Sequence, residues 1–143
     1  VKAYNKALSA TKDSLDFVRV KGQTAANHIK GSREFYGESE EIQVETITWE
    51  DLKQVPELMK INVEGHEIEI VPSIPHSVYE KMDVFIEVHN EDAARVIFDY
   101  LFNFVNIFSQ KTGWGKVNSF KDFPKMSKDG YIFVTQKEKM TWE

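Results

Sequence analysis

The chain has 143 residues, a net charge of −5, ten phenylalanines and no cysteine. That length fits one domain over residues 1–143 with room for a buried core, while the lack of cysteine excludes a disulfide framework, a thiolate metal site and a cysteine nucleophile. Charge is segregated, at +5 over residues 1–33, −13 over 34–100 and +3 over 101–143, so the segments either neutralise one another or present opposite potentials to partners.

Tyr4, Leu8, Thr11, Leu15, Val18, Ala25 and Ile29 recur at steps of three and four residues, allowing one skipped position at Gly22. This spacing predicts an amphipathic helix over about residues 2–30, weakened at the glycine. A strand through Phe17, Val18, Arg19 and Val20 is the competing reading. Residues 1–15 contain no continuous apolar run, which predicts no secretory signal and a cytoplasmic location. Residues 31–41 are polar and glycine-flanked and read as a loop.

Residues 41–47 alternate with period two, predicting a strand with Ile42 and Val44 on one face, together with Thr46. Thr48 followed by Asp51 is a capping-box variant that opens a short helix. Residues 61–63 and 66–71 read as a hairpin turned near Gly65. Pro72 and Pro75 mark a rigid loop. Val84, Ile86 and Val88 form a half-buried strand, followed by Asn90 as a helix N-cap with Glu91 and Asp92 in the first turn.

Residues 92–110 are the most informative stretch. On a helix, Asp92, Arg95, Asp99, Asn103, Asn106 and Gln110 occupy an arc of roughly 80°, and apolar side chains spread over about 240° of the rest. One layer needs only about 100°, so a second element or a second subunit must cover the surplus. The charges along its edge make the segment a poor membrane span, and no membrane partner is expected. Lys111 and Gly113 end it. Residues 114–120 and 131–140 read as the last two strands. The element order predicts an α+β fold, a two-layer sandwich of a mainly antiparallel sheet with two major helices on one face.

No residue set points to a reaction. The four histidines, His28, His66, His76 and His89, lie in different elements and form no familiar metal pair. Glu87 and His89 share a strand face. If Glu67 and Glu69 line a neighbouring strand, the four form a carboxylate–imidazole cluster open to a divalent cation or to acid–base work. There is no nucleophile elbow or phosphate loop, and neither catalysis nor a cofactor is expected. Trp114, Lys116, Lys121, Phe123, Lys125 and Lys128 interleave aromatic and basic groups as a single-strand nucleic-acid surface would. The lysines are unaccompanied by arginine, and the acidic middle block opposes a polyanion.

The main expectation is protein association, chiefly with further copies of the chain. Phe98 and Phe102, bordering the polar arc, and Tyr100 are the candidate interface residues. On that reading Phe102→Asp dissociates an oligomer and leaves the fold intact. In size and rough element mix the chain is similar to small ring-forming proteins of bacteriophage tails, such as tail terminators, though no motif is shared. That similarity implies a tail or head–tail joining component of a virion. The alternative is a regulatory protein that binds nucleic acid or a nucleic-acid-associated partner.

Overall fold

A computed structural model describes residues 3–34 and 36–140, so that Phe35, inside the expected loop, lies outside the described residues. The described N-terminal part is built of strands: β1 (Ala7–Leu8), β2 (Ser14–Val20), β3 (His28–Ile29) and β4 (Ser39–Ile47). They form a sheet of order β1-β4-β2-β3, in which β1 runs parallel to β4 and the other pairs are antiparallel. The helix expected over residues 2–30 is therefore not formed, and the competing strand through Val18 is. The three-four spacing was coincidental there. The β-branched Val18 and Val20 suit a pleated surface, and Gly22, with φ of 75°, turns the chain where a helix would have continued.

Thr48 begins the expected capped turn, a single 3-10 turn over Trp49–Asp51, with the Thr48 N–H donating to Asp51 Oδ2 at 3.0 Å. Trp49 is buried in the main core. β5 (Leu58–Ile61) follows, then α1 (Glu67–Ser73), α2 (His76–Tyr79) and β6 (Asp83–Glu87). The hairpin expected around Gly65 is replaced by a helical crossover, since β5 pairs with β6 in parallel. Glu67, Ile70, Val71 and Ile74 are all buried. Their spacing is helical, and the apparent alternation of residues 66–71 had concealed it. Pro72 sits inside α1 and Pro75 caps α2. At the end of α1, the hydroxyls of Tyr79 and Tyr100 donate to the carbonyls of Val71 and Ile74 at 2.9 and 2.8 Å, satisfying groups a helix end leaves open.

Asn90 caps α3 (Glu91–Leu101) as expected, its side chain accepting from the Ala93 N–H at 2.8 Å. The helix stops at Leu101, and the chain turns into β7 (Asn106–Ser109). Gly113, the expected helix stop, instead closes the turn into β8 (Gly115–Lys116), which covers only part of the strand expected over residues 114–120. β9 (Tyr131–Thr135) is likewise shorter than residues 131–140. The second sheet has order β5-β6-β9-β7-β8, with β9 antiparallel to both neighbours.

The fold is α+β, with two mixed sheets and three α-helices among the described residues. Val84, Val134 and Ile107 stand in register on the face covered by α1 and α3, where Ala94, Ile97 and Leu101 are fully buried. Phe85, Phe133 and Phe108 stand in register on the opposite face with Trp114 and Met140. No helix among the described residues is long and apolar enough to cross a membrane. Leu101→Ala is expected to cost about 2–5 kcal/mol and Asn90→Ala about 1 kcal/mol, both measured by denaturant unfolding.

Candidate interaction surface of the N-terminal sheet

Strand alternation sorts the side chains of the first sheet. Leu15 stands opposite Val44, and Phe17 opposite both Ile42 and Ile29, so these five apolar residues share one face. None is fully buried, and Ile42 is 37% exposed. Tyr4 and Tyr36, also N-terminal, are 48% and 93% exposed. Phe17, Ile29, Ile42 and Val44 line a groove of about 810 Å³, bounded also by residues 4–8 and by Val63, His66 and Ile70.

Among the described residues, the same sheet has an open edge. β4 pairs with β2 along residues 39–45, but β1 meets it only at Thr46 and Ile47, because the chain bends at Asn5 and Lys6. Thr46 donates its N–H toward Asp13 on the β2 side, and Ile47 offers its carbonyl outward to Ser9. By alternation, the N–H and C=O groups of Ser39, Glu41, Gln43 and Glu45 point outward. Those of Ser39, Glu41 and Gln43 have no strand partner among the described residues, while the Glu45 carbonyl accepts from the Ala7 N–H in the β1 pairing. Side chains flanking this edge are tied back by ion pairs: Glu40 with Arg19, Glu41 with Lys30 and Glu45 with Lys6, at 2.8, 2.7 and 2.6 Å.

A buried polar network joins this sheet to the helical layer. The Glu67 carboxylate, fully buried, accepts the N–H groups of Val63 and Gly65 at 3.1 and 3.0 Å. His89 Nδ1 lies 2.9 Å from Glu67, a close but poorly aligned contact, and Nε2 lies 3.3 Å from Glu64. Glu64 in turn pairs with Arg33, and its carbonyl accepts from Ser32 Oγ at 2.9 Å. Burial by itself would lower the His89 pKa. The Glu67 contact and the charges of Glu67, Glu64 and Glu87 outweigh it and hold the pKa above its ordinary 6.5. His66, bonded through Nε2 to Ser9 Oγ at 3.3 Å, shifts the other way, its pKa lowered by burial against the pull of Glu69 and Glu67.

The structure thus brings His89 and Glu67 together, through the start of a helix and not through the strand pairing expected. Glu69 is exposed on α1, and Glu87 accepts from the Tyr131 hydroxyl at 2.9 Å. Among the described residues no group of His, Asp and Glu is arranged to hold a metal ion. Glu64 and Arg33 were missed by the sequence reading; the only trace of them was the Glu64-Gly65 turn.

Phe98, Tyr100 and Phe102 are half-buried by their own chain. Phe98 stacks on Phe102 and meets Phe120 and Phe123 edge-on, and Tyr100 packs on His76. The surplus apolar arc disappears once residues 106–109 form a strand. Of the basic–aromatic set, Phe123 is fully buried and Trp114 packs edge-on against Phe85. Lys116 pairs with Glu138 and Lys125 with Glu91, at 3.2 and 2.7 Å, while Lys121 and Lys128 are exposed. Compared with family models, curated proteins and solved structures, the chain matches none.

His89 binds its proton more tightly folded than unfolded, so its stabilisation is complete below about pH 6.5 and is lost as pH climbs through the raised pKa. His89→Gln leaves the Glu67 carboxylate buried without a cation and is expected to cost about 3 kcal/mol at pH 6. Its deficit against the parent chain should shrink toward pH 9 in urea unfolding.

Proposed function

We propose that the chain is a non-enzymatic assembly subunit that associates with further copies of itself through its N-terminal sheet. The observation that carries this reading is the coincidence of a half-exposed apolar face with a long open strand edge, both reaching Ile42. Exposed apolar surface rimmed by polar groups is the usual mark of a protein contact. The contact surface is thereby transferred from Phe98, Tyr100 and Phe102, which pack within their own chain, to Phe17, Ile42 and Val44.

The histidines support a structural role. His28 Nδ1 engages the Ala26 carbonyl at 2.8 Å, and His76 stacks on Phe104 at 3.6 Å. His66 and His89 belong to the network that holds the sheet in place. A ring-forming part of a virion is one member of the class this reading describes.

Molar mass by light scattering at low and high salt, with and without single-stranded DNA, tests the proposal. The expected result is a defined multiple of the single-chain mass, unchanged by DNA. A single-chain mass that rises only with DNA and collapses with salt would transfer the function to nucleic-acid binding.

A further inference from the structure

We infer that two copies join by antiparallel pairing of their β4 edges about a two-fold axis at Ile42, merging their N-terminal sheets into one. This rests on the self-assembly reading above and specifies its contact.

Three constraints select the register. Among the described residues the free edge runs over residues 39–44, since β1 takes the Glu45 carbonyl and stands against Thr46 and Ile47, and a pairing over residues 40–44 is centred on Ile42. Centring there sets Glu40 against Val44 and Glu41 against Gln43, so that no two carboxylates stand directly opposite. Shifting the axis to Glu40 or Glu41 places a glutamate against its own copy. Shifting it to Gln43 opposes Glu41 and Glu45, and shifting it to Val44 requires the occupied Thr46. Like charges directly across a strand pair are destabilising, so only the Ile42 register satisfies the edge.

Hydrogen bonding agrees. Ile42 directs its own N–H and C=O inward to β2, making Ile42–Ile42 a non-hydrogen-bonded pair. On either side, Glu41 meets Gln43, and both point outward. The outward N–H groups of Glu41 and Gln43 in one copy then find the carbonyls of Gln43 and Glu41 in the other. The axis is perpendicular to the sheet, so both apolar faces lie on the same side and the Ile42 side chains meet. The remaining electrostatic cost is diagonal, where Glu41 of one copy approaches Glu41 and Glu45 of the other. Lys30 and Lys6 already neutralise these groups within each chain.

The chain has no cysteine, so single-cysteine variants report the register directly. In a non-hydrogen-bonded pair the Cα atoms are about 4.5 Å apart, within disulfide reach. Ile42→Cys is expected to form a disulfide-linked dimer under mild oxidation at least tenfold faster than Ser39→Cys, whose copies lie at opposite ends of the joined strands. Gln43→Pro removes an outward N–H and spares the β2 ladder. It is expected to abolish association with the far-ultraviolet spectrum and cooperative melt retained.

Equal crosslinking rates for Ile42→Cys and Ser39→Cys overturn the register whether or not Gln43→Pro folds. If the parent chain is oligomeric and a folded Gln43→Pro variant is equally so, this inference fails and the assembly reading survives. A parent chain of single-chain mass at every concentration defeats both. Crosslinking of Ile42→Cys to a cysteine-bearing peptide copy of residues 39–45, and not to a second intact chain, gives the edge to a foreign strand and also overturns the proposal.

Discussion

A carboxylate cut off from water must be compensated by its surroundings, and Glu67 meets that demand by gathering three parts of the chain. It takes two backbone N–H groups from the turn before α1 and lies against the imidazole that follows β6. That imidazole also approaches Glu64, which holds Arg33 and Ser32 from the N-terminal region. The turn itself has little freedom. Glu64 has a φ of 54° and Gly65 a φ of 102°, and a Cβ on Gly65 would lie 2.2 Å from the Ser32 carbonyl oxygen. Position 65 therefore requires glycine both for its backbone angle and for the close approach of the neighbouring segment. The groove and the docked apolar sheet both depend on this turn.

What could be read from the sequence follows from how local each signal is. The strand from residue 41, the capped turn at Thr48, the strand through Ile86 and the Asn90 cap are announced by patterns within a few residues, and all appear. Errors arise where one pattern suits two structures. Tyr4 to Ile29 satisfies a helical spacing, yet its strands are fixed by distant pairing with residues 39–47. In residues 66–71 a strand-like alternation hides a helix that buries Glu67 beside Ile70 and Val71. Residues 92–110 look like one helix because Ile107 and Phe108 fall on its apolar arc. As a strand, β7 sends Ile107 to the helix layer and Phe108 to the opposite face. The candidate surface was legible as a strand but not as an edge, because an edge is defined by which neighbours the rest of the chain fails to supply.

The segregated charge has a similarly concrete outcome. The basic N-terminal block and the acidic middle block lie across from each other in one sheet and its loops. Lys6, Arg19, Lys21, Lys30 and Arg33 each pair with a glutamate from residues 38–64. Exposed pairs of this kind add little stability singly. Their collective effect is on specificity: they neutralise a strand rich in glutamate that would otherwise repel any neighbour on its open side.

The placement of β9 bears on the order of events in folding. It lies between β6 and β7, yet both neighbours precede it along the polypeptide. As the nascent chain leaves the ribosome, the helices can dock before residues 131–135 have been made, but the sheet beneath them has a gap at its centre. The exposed flanks of β6 and β7 are apolar and unpaired during that interval, the condition under which chaperones engage and mispairing begins.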